Sequence, residues 1–307
     1  MSQAELTEII PGLRLVAAEN NGRFPFAHSF LVDGATSALI DTGCGMRAVD
    51  ELQREQKLDL VIASHSHPDH TALNWKFAGI PIYAPQYAAD TFGNFDGLGE
   101  RFTEPGELAS EWREYAGRAM NSKTALPTHT YADGQVFGFG KLSLVAVHTP
   151  GHTVDHTCFF EPTYGVLLSF DIDLTSFGPW YGHRESDIAV FEESIRKVMA
   201  LKPRVIVSSH KGIITDDIEL RLRRYLNIFD ARDRILLDLM SRPRSLHELV
   251  DFSPLYQGYP YAETLLRYWE EQMIRKHLAR LVERGDAIET EDGKFASHNS
   301  TIGNVCR

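Results

Sequence analysis

The chain has 307 residues, 43% of them hydrophobic and 24% charged, with 17 Phe, 11 Tyr and 4 Trp, which suits one large domain or a main domain with an appendage. That composition excludes disorder over most of the chain. Its 31 Lys and Arg against 42 Asp and Glu leave a net charge of −11, which argues against bulk nucleic-acid binding, because phosphate contacts draw on a surplus of cations.

In chain order, residues 13–17, 27–34 and 37–43 form short β-rich runs, and Asp33-Gly34 between the last two predicts a hairpin. A helix over residues 46–56 leads to Leu58-Asp-Leu-Val-Ile-Ala-Ser, a continuous apolar strand of the kind buried on both faces. One helix later comes a short strand, Ile80-Pro-Ile-Tyr-Ala. Residues 86–130, rich in Gly, Glu and aromatics with a helix over 107–120, read as an insertion covering one face, and long irregular insertions tend to be functional lids. Strands resume over 135–138, 142–148, 157–160 and 165–171, before a helix over 187–201 and a strand over 204–210.

After about Leu220 the strands stop. Helices are predicted over 225–240, from Ser245, and over 261–284, where Gly285 ends the last; residues 287–296 read as two short strands about an Asp-Gly turn. Three helices and a hairpin are the element order of a winged helix, so the expected division is a main domain over 1–225 and a winged-helix-like domain over 226–307. The third helix carries Glu263, Glu270, Glu271 and Glu283 among its basic residues, which favours a structural or homodimerising use over nucleic-acid binding. The N-terminal segment is acidic, no apolar run approaches the ~20 residues of a membrane span, and the three cysteines, Cys44, Cys158 and Cys306, are far apart. A cytoplasmic protein with neither a disulfide framework nor a CxxC knuckle is expected.

The densest chemical signal is Ser64-His65-Ser66-His67-Pro68-Asp69-His70, directly after the buried strand. Two residues apart on extended backbone, His65 and His67 project to one side and can share a cation. Pro68 suits the first turn of a helix, which would bring Asp69 and His70 toward a neighbouring position. Three histidines and a carboxylate so close together suit a borderline divalent ion, zinc first, with iron or manganese as alternatives. Further ligand-type residues stand at strand ends: His152 in Thr149-Pro-Gly-His-Thr, Asp171 in Leu168-Ser-Phe-Asp, and His210 in Val207-Ser-Ser-His. A rigid sheet can aim such side chains at a common point.

This pattern resembles the metallo-β-lactamase superfamily over about residues 10–225, with a hydroxyacylglutathione-hydrolase-like core as the nearest overall look. The resemblance implies an α/β fold, an αββα sandwich with metals at its rim. It implies a first metal held by His65, His67 and His152, a second by Asp69, His70 and His210, and Asp171 bridging both, with Asp173 its competitor for that place. Asp69 would also orient the attacking hydroxide, and Asp41 in Asp41-Thr-Gly would fix the histidine loop from behind. Trp180, Tyr181, His183 and Lys211 are weaker candidates for contacts to a small-molecule substrate; the alternatives are packing for Trp180 and Tyr181 and a solvated Lys211. The leading reading is a dinuclear hydrolase of an ester-like bond, a thioester or lactone. A phosphodiesterase or endoribonuclease, a mononuclear-iron persulfide dioxygenase and a non-enzymatic metal-binding sensor are the alternatives.

Overall fold

Short apolar runs build two sheets, which the computed structural model describes within residues 5–298. The first half of the chain runs β1 (Leu6–Ile10), β2 (Leu13–Val16), β3 (Ser29–Val32), β4 (Ala38–Ile40), α1 (Met46–Glu55), β5 (Leu60–Ile62), α2 (Pro68–Thr71), β6 (Ile82–Pro85), α3 (Phe95–Phe102), α4 (Glu107–Met120) and β7 (His129–Tyr131). Its seven strands form one sheet in chain order, antiparallel from β1 to β4 and parallel from β4 to β7. The second half adds β8 (Val136–Gly138), β9 (Ser143–His148), β10 (Thr157–Glu161), β11 (Val166–Phe170), α5 (Ile188–Ala200), β12 (Val205–Ser208), β13 (Gly212–Ile214) and α6 (Ile218–Leu226). These six strands form a second sheet in the order β13-β12-β11-β10-β9-β8.

Strand alternation explains why the central runs are apolar throughout, since successive side chains point to opposite faces and both faces are covered. Phe30, Ile40 and Ile62 point inward and meet Phe159, Leu168, Phe170 and Val207 of the other sheet. Their neighbours Leu31, Leu39 and Val61 point outward onto Val49 and Leu52 of α1. On the far side, Leu167 and Ile206 pack under Phe191, Ile195 and Val198 of α5. The result is helix, sheet, sheet, helix. Burying each Phe or Leu contributes roughly 1.5–3 kcal/mol.

The chain continues as α7 (Ile228–Leu239), α8 (Leu246–Asp251), α9 (Glu263–Arg284) and a hairpin of β14 (Ala287–Glu289) with β15 (Phe295–Ser297). Ser245 caps α8 in a reciprocal arrangement with Glu248. Phe229 and Leu236 of α7 and Met273, Ile274 and Leu278 of α9 extend the same apolar cluster that lies under α5. The earlier turns of α9, with Leu265, Leu266 and Trp269, instead pack on Leu98 and Phe102 of α3 and Trp112 and Ala116 of α4. Insertion and C-terminal helix therefore meet.

Several local expectations change. The Asp33-Gly34 pair does sit between β3 and β4, but the connection spans residues 33–37, where Ala35 donates its N–H to the Phe139 carbonyl. Strands β1 and β13 went unforeseen because one is half-exposed and the other only 3 residues long. The helix expected over 225–240 is α7, and α6 precedes it unforeseen, because only Leu222 and Tyr225 of that charged segment are buried. Glu270, counted among surface acids from sequence, is fully buried and accepts hydrogen bonds from the Ser253 hydroxyl and the Leu255 N–H. Cys44 and Cys158 are buried free thiols, and Cys306 lies outside the described residues. Among the described residues no helix is long and apolar enough to cross a membrane.

Arg101 of α3 ties the insertion to the core. Its guanidinium donates to Asp155 at 2.9 Å, to both Glu185 oxygens at 2.8 and 2.7 Å, and to the Ser66 hydroxyl at 2.6 Å. Asp155 is fully buried, and although burial raises its pKa, Arg101 overcomes that and holds the carboxyl below its ordinary range. Arg101→Ala should therefore lower the unfolding free energy by about 3–5 kcal/mol in urea titrations, since it strands a buried charge. Arg101→Lys should recover only part of this, lacking the planar fork. A loss below about 1 kcal/mol for the alanine variant would show that the contact is dispensable.

Candidate metal centre

The centre lies where strands of both sheets end. Strand β5 ends at Ile62, and a bend over residues 64–66 carries His65 and His67 to the centre; His67, itself extended, then caps α2, with Pro68 in its first turn. Behind this loop stands Asp41, fully buried at a positive φ of 56°. It accepts from the Ser64 N–H at 2.7 Å, the Ser64 hydroxyl at 2.8 Å and His70 Nδ1 at 2.7 Å. Two glycines allow close approach: a Cβ on Gly43 would fall 1.6 Å from the Asp69 carbonyl, and one on Gly151, at φ +121°, would fall 2.4 Å from Phe191. The first seats the loop, and the second turns His152 inward beneath α5.

Two groups of donor atoms result. His65, His67, His152 and Asp171 form one, and Asp69, His70 and His210 the other, with the donor atoms of each group within 4.8 Å of one another. Asp171 stands between them. Its Oδ2 lies 2.9 Å from His152 Nε2 and 3.6 Å from His65 Nε2, while its Oδ1 lies 2.9 Å from His70 Nε2 and 3.4 Å from His210 Nε2. Asp173, its sequence competitor, turns instead to the Thr175 hydroxyl and Tyr225.

Each of the five rings has a partner for its outer nitrogen. His152 Nδ1 donates to the Trp180 carbonyl at 2.8 Å and His210 Nδ1 to the Gly22 carbonyl at 2.7 Å; His70 uses Asp41, and His65 uses the Ser64 hydroxyl at 2.9 Å. His67 is reversed, with Nδ1 inward and Nε2 2.6 Å from Nε2 of His183. Because His183 Nδ1 donates to the Phe102 carbonyl at 2.9 Å, its Nε2 accepts, and His67 must donate outward. In the neutral form of each ring the inner nitrogen is thereby left with a lone pair facing the centre.

Those atoms show what the centre lacks. His65 Nε2, His70 Nε2 and Asp171 Oδ1 are buried with no hydrogen-bond partner, the last two even though they are 2.9 Å apart, because the angle between them does not serve a hydrogen bond. Such orphans cost about 1–3 kcal/mol each unless something else satisfies them. The field points the same way. Burial depresses the pKa of His70, but Asp171, Asp41 and Asp69 overcome it and push it well above the usual value, and His210 rises to about 9 for a like reason. Burial would raise Asp171, yet His70, His210, His152 and His65 hold it far below the carboxylate range. An anionic pocket ringed by lone pairs suits a divalent cation.

The weaker sequence candidates separate. Trp180 and His183 line a cavity of about 390 Å³ whose floor includes His67, Asp69, His152, Asp171 and His210. Tyr181 does not reach it: fully buried, its hydroxyl meets His277 and Arg232, so the expectation of a substrate contact gives way to packing. Lys211 does not line the cavity either, since its ammonium donates to the Leu174 carbonyl. Sequence reading gave His183 a substrate role and overlooked Arg101; His183 is 116 positions from His67, so no spacing could have revealed their contact. His183→Ala should weaken divalent-metal binding about 10–100-fold in chelator competition by freeing the His67 ring, and unchanged affinity would remove that orienting role.

The model of the metallo-beta-lactamase superfamily matches residues 22–210. Among curated proteins, the atrochrysone carboxyl ACP thioesterase AgnL7 of Paecilomyces divaricatus is 27% identical over 305 residues, covering 92% of this chain and 83% of its own. The beta-lactamase-like protein 2 homolog of Drosophila melanogaster is 24% identical, covering 83% of this chain and 81% of its own. Among solved structures, the metallo-beta-lactamase family protein TTHA1429 from Thermus thermophilus superposes with a TM-score of 0.75 at 21% identity, covering 95% of this chain and 100% of that one. A match over more than half the chain that takes in all the clustered histidines and aspartates, on a helix–sheet–sheet–helix frame, makes this protein an enzyme of the metallo-beta-lactamase superfamily, a metal-dependent hydrolase fold.

Proposed function

We propose that the chain hydrolyses an ester-like acyl bond, a thioester or lactone of a small organic substrate, with two divalent ions, zinc as the first candidate. The observation that carries this reading is the place of Asp171, one oxygen facing each donor group. His65, His67 and His152 would hold one ion, Asp69, His70 and His210 the other, with Asp171 shared between them. Bound there, such a pair brings the pKa of water toward neutrality and polarises the acyl oxygen. The remaining work belongs to the protein's own groups. Asp69, on the cavity floor, orients the attacking water and takes its proton. Asp41 fixes His70 and the loop from behind.

The thioester preference is supported by the thioesterase named among the relatives. A small-molecule substrate is supported by the cavity volume, near the lower end of the ~300–1,000 Å³ usual for such sites. We assign residues 226–298, the described part of the segment beyond 225, to a winged-helix-like domain that closes this cavity through α9 rather than reading nucleic acid. Its basic side chains support this, for Arg267 pairs with Asp251, Arg275 with Glu271, and Arg280 with Glu192 and Asp233. Two buried free thiols fit a cytoplasmic setting.

Metal analysis of loaded protein should give two ions per chain, and exhaustive chelation should abolish thioester turnover until zinc is restored. Asp69→Ala should reduce kcat about 10²–10⁴-fold with little change in melting temperature, whereas Asp41→Ala should lower both melting temperature and metal content. A single ion per fully loaded chain would remove the dinuclear reading. Equal thermal losses in the two variants would remove the separate roles of the two aspartates.

A further inference from the structure

Above the proposed metal floor, where the segment after β11 places Trp180, the cavity is walled by rings from three further chain-remote segments. The loop after β2 gives Phe24, the insertion helix α4 gives Trp112 and Tyr115, and the C-terminal segment gives Tyr261 and Trp269, with Trp180 nearest the histidines. The Phe24, Tyr115 and Tyr261 rings lie at mutual centroid distances of 6.2, 6.4 and 6.3 Å with planes within 18° of one another, so one ring from each segment forms a rim. Deeper, Trp180 meets Trp269 in a T-shaped contact at 5.7 Å and makes T-shaped contacts with His67 and His152 as well. Phe24 is 38% exposed and Tyr261 47%, a state that soluble proteins reserve for single scattered residues unless the patch has a use.

One cation stands at this mouth. Arg23 lines the cavity, and its guanidinium has no hydrogen-bond or ion-pair partner among the described residues. Flat, electron-rich walls favour flat ligands through offset and edge-to-face contacts, and an unpaired guanidinium beside them favours an anion.

From this arrangement we propose that the acyl group taken by the enzyme is a flat, fused aromatic one, and that Arg23 binds an anionic group of the same substrate at the rim. This rests on the ester-hydrolase reading above. The anion has two sources, an acidic substituent on the ring system or the phosphate of a thiol carrier. The hydrolysis is ordinary: water adds to the thioester carbonyl, the carbon–sulfur bond breaks, and acid and thiol leave with the proton shared out between them.

The test uses the zinc-loaded full chain and N-acetylcysteamine thioesters of acetate, octanoate and 2-naphthoate, with 6-carboxy-2-naphthoate and the coenzyme A thioester of 2-naphthoate as the two anionic arms. The naphthoyl ester should exceed the acetyl ester in kcat/KM by about 100-fold or more, and exceed the octanoyl ester too. Tyr261→Ala and Phe24→Ala, both at exposed positions, should each shrink the naphthoyl preference while leaving the melting temperature within a few degrees. Arg23→Ala should cost about tenfold more on one anionic arm than on the neutral naphthoyl ester, and the affected arm names the source of the anion.

A second readout is independent of catalysis. Three of the four tryptophans, Trp112, Trp180 and Trp269, line the cavity, so 2-naphthoate itself should quench intrinsic fluorescence saturably, and less tightly in the Tyr261→Ala protein. Octanoyl or acetyl esters turning over as fast as naphthoyl would overturn the aromatic assignment, and equal Arg23→Ala losses on all naphthoyl probes would overturn the anion site. Quenching by naphthoate with no ester cleaved would keep the pocket assignment and reject the hydrolase reading beneath it; absence of both would reject the pocket assignment as well.

Discussion

Five imidazoles gathered around one buried carboxylate are an unstable company by themselves. Once neutral, their inner nitrogens can all present lone pairs, Asp171 adds negative charge, and the inner nitrogens of His65 and His70 are buried without a hydrogen-bond partner. Only a cation relieves such a site, and only a stiff frame can hold it open until one arrives. Much of the molecule can be understood as that frame. The ends of parallel and antiparallel strands from two packed sheets supply the positions, and a cross-sheet core of phenylalanines fixes their separation.

The orienting partners are the second part of the frame, and they come from all over the chain. Asp41 follows β4, Gly22 lies in an early loop, Trp180 and His183 belong to the segment after β11, and Phe102 ends α3. Arg101 extends the same logic one step outward, since its guanidinium reaches the Ser66 hydroxyl between the two first histidines and is itself held by Asp155 and Glu185. A defect in the insertion thus reaches the histidine loop through Arg101 as well as through Phe102 and His183. Packing of α9 on α3 and α4 adds an apolar brace to this polar one.

The legible part of this architecture is the part encoded locally. His65, His67, Asp69 and His70 announce themselves because a short bend after a strand and one helical turn keep residues so close in sequence close in space. His152, Asp171 and His210 are visible only as polar residues at strand ends, and their convergence came from family resemblance rather than from pattern. What stayed hidden depends on tertiary contact. His183 looks like a pocket residue until His67 is beside it; Tyr181 looks the same until His277 and Arg232 claim its hydroxyl. Glu270 reads as a surface charge because helix periodicity cannot show that the turn at residues 253–255 brings donors onto it. Strands β1 and β13 escaped notice for the opposite reason, as edges carry too little buried surface to impress a pattern.

The cavity has a divided construction. Its floor is made by sheet ends, while much of its wall is made by α4, α9 and the loop before α9, none of which supplies a residue to the two donor groups. The two parts can therefore drift at different rates: a changed ring at Trp112 or Tyr261 alters what fits without moving an imidazole. Selection acting on the wall can retune the diet of such an enzyme while its reaction stays fixed.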